Sequence, residues 1–140
     1  PSDRLPRMSA LLDALRAGPV LADGAMGSYI FQLTGRLSEP NHVYEAFSAD
    51  RPEVIRDVYL AYLQAGSRCL TTNTFAANAA CLAAFGLADR AAQLSAAAVR
   101  VARDAIDEYC RASGDARAGF YVLGFVGPTL ASRIMEQHEL

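Results

Sequence analysis

Asp23 stands where an apolar run meets a loop of small residues, in the stretch VLADGAMGS from Val20 to Ser28. A carboxylate at that point can accept hydrogen bonds from an ammonium group. The successive amides from Gly24 to Ser28 can form a nest that holds an anion, and glycine permits both the backbone angles and a close approach. An amino acid needs both kinds of partner, one for each end. The plainer reading is a strand-ending Asx turn, with the glycines supplying backbone geometry. Asp23-Gly24-Ala25-Met26-Gly27 is neither a GxGxxG fingerprint nor a P-loop, because it has no third glycine and no following lysine.

Two more polar clusters end apolar runs. Thr71-Thr72-Asn73-Thr74-Phe75 follows one, and Gly127-Pro128-Thr129 follows another. Taken alone, each is compatible with an ordinary polar strand terminus. His42 and His138 are isolated and read as surface residues. Cys69, Cys81 and Cys110 form no CxxC pair and no disulfide framework, and read as small apolar residues on a strand and two helices. With no Ser/His/Asp or Cys/His set, neither a catalytic residue nor a metal ligand is assigned within this chain.

The elements that must position these clusters alternate. Met8, Leu11, Leu12 and Leu15 recur at helical spacing until Gly18-Pro19 stops them. Val20–Ala22 reads as a short buried strand. Tyr29 to Ser48, with Gly35, Pro40 and Asn41, reads as a long loop. Val54, Ile55, Val58, Tyr59, Tyr62 and Leu63 make one helical stripe. Asp50 and Glu53 stand around its start, Pro52 in its first turn and Gly66 at its end. Arg68–Thr72 reads as a strand and Ala76–Phe85 as a short helix. A longer helix carries Leu94, Ala98, Val101, Ala102, Ala105 and Tyr109, and ends near Ser113-Gly114. Phe120–Val126 is a third strand.

Such alternation means parallel strands joined by right-handed crossovers, with apolar strands covered on both faces. An open doubly wound sheet and part of a (β/α)8 barrel both fit. In either, sites gather at the carboxyl ends of the strands. All three polar clusters lie at those ends, while the opposite turns (AGPV, AGSR and ARAG) are plain connections.

Composition limits the function classes. The chain has 140 residues, is 52% hydrophobic and carries a net charge of −2, so it is of one-domain size with ample core material. It has no lysine and no basic run, which argues against a nucleic-acid partner. No apolar run approaches the ~18 residues of a membrane span, and no signal pattern opens the chain. A cytoplasmic protein without a membrane partner is expected.

Taken together, LADGAMGS, PEVIRDVYLAYLQAG followed by TTNTFAAN, and VLGFVGPT resemble the homocysteine S-methyltransferase family. That family takes in the homocysteine-binding domain of methionine synthase, betaine–homocysteine methyltransferase and fusions with methylenetetrahydrofolate reductase. The likeness runs from about Leu21 to Thr129. It implies a (β/α)8 barrel with its site at the carboxyl face, and homocysteine as the substrate. It also implies that Asp23 binds the substrate ammonium, that Gly24, Ala25, Met26 and Gly27 hold its carboxylate, and that Asn73, Thr74 and Phe75 line the pocket.

The family's zinc is held by three cysteine thiolates from later strands, two of them adjacent. Zinc keeps the homocysteine sulfur a thiolate, and so a nucleophile toward an activated methyl group. This sequence has no Cys-Cys pair, and the later-strand glutamate that helps hold the substrate amine is also missing. About three of eight strands are present, where a barrel takes ~250 residues. The expectation is therefore that residues 1–140 form the amino-terminal portion of such a barrel. The missing part would come from a longer chain, a second subunit or self-association. The methyl donor is open: methylcobalamin, a betaine-like onium compound and S-methylmethionine all fit.

Two other readings compete. A truncated, non-catalytic homologue would keep the amino-acid cradle as a binding module or subunit, and the gene beyond Leu140 distinguishes it. An unrelated flavodoxin-like ligand-binding domain would show a different strand order.

Overall fold

A computed structural model describes residues 9–34 and 43–128. Two helices carry most of the core, and both follow from their apolar stripes. Helix α4 (Pro52–Gln64) buries Ile55, Val58, Tyr59 and Leu63, which recur at helical spacing on one face. Pro52 opens its first turn, where a missing N–H costs nothing, and Gly66 follows its end with φ 104°. Helix α6 (Ala91–Ser113) buries Leu94, Ala98, Val101, Ala102, Ala105 and Ile106, and Gly114 closes it in the left-handed region at φ 79°. The alanines on that face let α6 lie close against α4. Leu70 and Phe120 complete this core from the sheet side. Full burial of a side chain such as Leu63, 1% exposed, contributes about 1.5–3 kcal/mol.

Among the described residues there are four shorter helices: α1 (Ser9–Ala17), α2 (Met26–Thr34), α3 (Phe47–Asp50) and α5 (Ala79–Ala83). Helix α1 forms as the periodicity predicts, yet Leu12 and Leu15 are about half exposed. Asn78 caps α5, its side-chain oxygen accepting the Cys81 N–H at 2.9 Å. Asp50 does not cap α4. Arg51 occupies that position, and Asp50 pairs instead with Arg90 at 2.6 Å, tying α3 to the turn before α6.

The sheet is parallel. Strand β1 (Cys69–Thr71) pairs with β2 (Tyr121–Leu123), with Cys69 opposite Tyr121 and Thr71 opposite Leu123. Ala22 bridges Cys69 on the other edge, also in parallel. The spatial order is thus the sequence order: the Ala22 segment, β1, β2. A flavodoxin-like sheet would put the first segment in the middle, so that reading is excluded. Successive strands lying side by side are what a barrel requires.

Several expected elements differ in extent. The strand expected at Val20–Ala22 is one bridging residue, and Leu21 is 58% exposed rather than buried. The strands expected at Arg68–Thr72 and Phe120–Val126 shorten to Cys69–Thr71 and Tyr121–Leu123. Cys69 and Leu70, on opposite faces of β1, are both buried, so β1 is covered on both faces. Strand β2 is not, since Leu123 is 39% exposed, and Phe125 and Val126 beyond it are 44% and 89% exposed. A strand needs a paired neighbour to satisfy its backbone, and the two outer segments have one each. The helix expected at Ala76–Phe85 is confined to Ala79–Ala83, because Thr74 to Asn78 turn around the site.

The expected loop from Tyr29 to Ser48 is largely helical where it is described. Helix α2 runs to Thr34, a 3-10 turn spans Tyr44–Ala46, and α3 begins at Phe47. Gly35, Pro40, Asn41 and His42 lie outside the described residues, as do Met8, Thr129 and His138. Among the described residues, no helix is long and apolar enough to cross a membrane.

Candidate substrate site

The carboxyl ends of the three parallel segments open on one cavity of about 500 Å³. Asp23, Gly24, Ala25, Met26, Gly27, Asn73, Thr74 and Phe75, the eight residues singled out in the sequence, all line it. Parallel pairing explains the convergence. Asp23 N–H donates to the Cys69 carbonyl at 2.9 Å, so the first segment ends level with β1.

Asp23 is half-buried and held by one residue. Its Oδ2 accepts the Thr71 N–H at 2.9 Å, and its Oδ1 accepts the Thr71 hydroxyl at 2.8 Å. Each carboxylate oxygen can accept more than one bond, so capacity for an ammonium remains. Burial raises its pKa above the ordinary 3.8, and the bonds from Thr71 oppose that shift. The Tyr59 hydroxyl donates to the Thr71 carbonyl at 2.8 Å, which fixes Thr71 from the helix side. Desolvation, with the Asp23 charge nearby, raises the Tyr59 pKa.

The loop after Asp23 runs straight into α2, so Met26 and Gly27 belong to the helix rather than to an isolated nest. The first amides of a helix have no intrahelical acceptor, and its amino end carries partial positive charge. The amides expected to form a nest are thus largely those of a helix amino terminus, which lines the same cavity as the Asp23 carboxylate. Tyr62 braces it: its hydroxyl donates to the Ala25 carbonyl at 3.1 Å. A Cβ on Gly24 would lie 2.9 Å from that hydroxyl oxygen, so a larger residue there would have to push the Tyr62 ring aside. A Cβ on Gly27 would meet only the Tyr44 ring at ordinary contact, 3.7 Å.

Asn73 and Thr74 line the cavity with their donors already committed. The buried Asn73 amide donates to the Tyr44 carbonyl at 2.7 Å and to Ser48 Oγ at 3.2 Å. The Thr74 hydroxyl donates to the Phe125 carbonyl at 2.6 Å. Phe75 stands 49% exposed, its ring 5.3 Å from that of Phe125.

Tyr44, Glu45, Thr71, Thr72 and Phe125 also line the cavity; the sequence puts Thr71 and Thr72 at the carboxyl end without giving them a role, and it does not mark Tyr44, Glu45 or Phe125 for the site. Glu45 is the most informative of these. It is 8% exposed, and its Oε1 accepts the Ala76 N–H at 2.8 Å. Its signal was an acid between Val43 and Phe47, two buried apolar residues one helical turn apart. Two carboxylates and no arginine thus line the cavity among the described residues, a charge pattern that favours a cationic group.

The cysteines stand apart. Cys69 is buried on β1, Cys81 on α5 accepts the Asn78 amide at 3.2 Å, and Cys110 lies on α6. Burial, and then the charge of Asp23, pushes the Cys69 thiol pKa up, opposite to what a ligating thiolate needs. Among the described residues no three His, Cys, Asp or Glu side chains are grouped to hold a metal. These residues do not fit a zinc site.

The profile of the family described as homocysteine S-methyltransferase matches residues 20–139. The chain belongs to that family. Methionine synthase of Mycobacterium tuberculosis is 33% identical over 121 residues, covering 84% of this chain and 10% of that protein. Methionine synthase of Mycobacterium leprae is 31% identical over the same coverage. Among solved structures, the metallated form of the homocysteine methyltransferase MmuM from Escherichia coli superposes with a TM-score of 0.74 at 29% identity. That match covers 94% of this chain and 45% of that one. The oxidized form of the same enzyme gives 0.73 at 31% identity, covering 86% and 41%. The chain thus spans about a tenth of the curated relatives and less than half of the structural ones.

Proposed function

We propose that residues 1–140 are the amino-terminal part of a (β/α)8-barrel methyltransferase that methylates the homocysteine thiolate to give methionine. The role of this part is to bind and orient the amino-acid end of the substrate. One observation carries the reading: a half-buried carboxylate and a helix amino terminus line the same cavity. Asp23 takes the ammonium on the lone pairs that Thr71 leaves free, and the amides that open α2 take the carboxylate. The zinc dependence implied by the resemblance rests on ligands other than Cys69, Cys81 and Cys110. The sequential strand order and the likeness to MmuM support the barrel.

Substrate analogues test this. N-acetyl-homocysteine lacks the ammonium and homocysteine methyl ester lacks the carboxylate. Each should bind the full-length protein ~10- to 150-fold more weakly than homocysteine, since a hydrogen bond to a charged group contributes roughly 1.5–3 kcal/mol. Equal binding of all three would refute the assignment of the two ends. Methionine formation, assayed with each class of methyl donor, tests the transfer itself.

A further inference from the structure

The wall formed by Thr72 to Phe75 is fastened to the segment after β2 by two hydroxyls. Phe125 N–H donates to Thr72 Oγ1 at 2.9 Å. Thr72 and Thr74 hydroxyl oxygens are 2.7 Å apart, and Thr74 Oγ1 donates to the Phe125 carbonyl at 2.6 Å. A threonine hydroxyl has one hydrogen. That of Thr74 goes to Phe125, so Thr72 must be the donor between the two. The four groups form a closed ring with a single sense: Phe125 N–H to Thr72, Thr72 to Thr74, Thr74 to the Phe125 carbonyl. The Thr72 N–H donates separately to Leu123 O at 2.9 Å, adding a further tie. Beyond the ring, Gly127 lies so close to Phe75 that a Cβ there would fall on the Phe75 carbonyl.

We infer that Thr72 and Thr74 are positioning residues, which set the spacing of the Phe75 and Phe125 rings that form the apolar wall of the cavity. Four observations support this. Both hydroxyls are consumed within the ring, so neither is a free donor to a ligand. Phe75 and Phe125 both line the cavity, with centroids 5.3 Å apart and planes inclined at 35°. Phe125 is held at both its N–H and its carbonyl, so both peptide groups flanking its side chain are restrained. The wall between them is otherwise exposed, Phe75 by 49% and Phe125 by 44%, so packing alone does not hold it. Homocysteine presents two methylenes and a sulfur beyond its charged end, and an apolar wall of fixed width suits them. This last step rests on the homocysteine reading above.

The test uses the full-length protein with Thr74→Val, Thr74→Ser and Thr72→Val. Two readouts are taken: exchange of the Phe125 amide hydrogen without ligand, and the affinity for L-homocysteine. Loss of one ring hydrogen bond should speed Phe125 exchange about 10-fold and weaken homocysteine binding about 3- to 10-fold in the valine variants. Thr74→Ser, which keeps the hydroxyl, should restore both to wild-type values. Folding is monitored by the thermal midpoint, and serine rescue at an equal midpoint separates positioning from general damage. Unchanged exchange in both valine variants overturns the ring. Faster exchange with unchanged affinity overturns its role in shaping the wall. If wild type fails to bind homocysteine, the substrate reading falls and takes the ligand half of this inference with it, while the exchange result still stands or falls alone.

Discussion

Thr71 donates twice to Asp23, from its N–H at 2.9 Å and from its hydroxyl at 2.8 Å. One residue of β1 thereby orients a carboxylate that ends the neighbouring segment. The pair turns a strand-pairing register into a site geometry. Thr71→Val keeps the N–H and the shape but removes the hydroxyl bond. It should cost about 1 kcal/mol of stability and raise the Asp23 pKa further, because a bond that favours the charged form is gone. Chemical denaturation and titration of the Asp23 carboxyl by NMR check both.

The raised Asp23 pKa fixes the sign of a pH effect. An ionised Asp23 is less favoured in the fold than in the unfolded chain, chiefly because of burial. Its stabilising contribution is full below the unfolded value of 3.8 and is lost as pH rises through the raised folded value. Asparagine can keep both contacts with Thr71, accepting the N–H and donating to the hydroxyl oxygen. Asp23→Asn should therefore melt no lower than wild type near neutral pH, and any advantage should shrink as pH falls toward 3.8. Melting curves across that range check this; a variant much less stable at neutral pH would contradict it.

The two loop glycines should respond differently. Gly24→Ala must displace Tyr62 and disturb its bond to Ala25. Gly27 lies in the first turn of α2, where a Cβ would make only ordinary contact with the Tyr44 ring at 3.7 Å, so Gly27→Ala should be neutral or stabilise the helix by up to ~1 kcal/mol. Paired thermal melts give the comparison, and equal losses in both variants would contradict the bracing role of Tyr62.

Leu63→Ala should cost ~2–5 kcal/mol, as truncation of a fully buried core side chain does. A cost within experimental error would contradict the packing of α4 against the sheet.

None of the three cysteines should hold metal. Changing Cys69, Cys81 or Cys110 singly to alanine should leave the zinc content of the full-length protein unchanged, measured by elemental analysis of the folded variants. Zinc lost with any one of them would contradict this.

Much of this arrangement was legible in the residues because local rules and tertiary context agree. The stripes of α4 and α6 declared their buried faces, and Gly66 and Gly114 marked their ends. All eight chosen site residues line one cavity, since parallel strands end at one face. Strand lengths were not legible. Apolar residues such as Leu21, Phe125 and Val126 look like buried strand, but pairing depends on neighbours that a local pattern does not encode. Helix α2 was missed because its glycine and threonine read as loop residues, while its buried Ile30 packs on the α4 core. Glu45 was missed because burial of an acid is decided by its partner, the Ala76 amide, which lies far along the chain.

The central claim is that Asp23 holds the substrate ammonium. It is tested most directly by titrating L-homocysteine into the full-length protein and its Asp23→Asn variant, with zinc measured in both. The account predicts binding weakened ~10- to 150-fold in the variant, the share of a charge-assisted hydrogen bond, with zinc content unchanged. Equal affinity in the two proteins would contradict it and leave Asp23 as a residue that only orders the turn into α2.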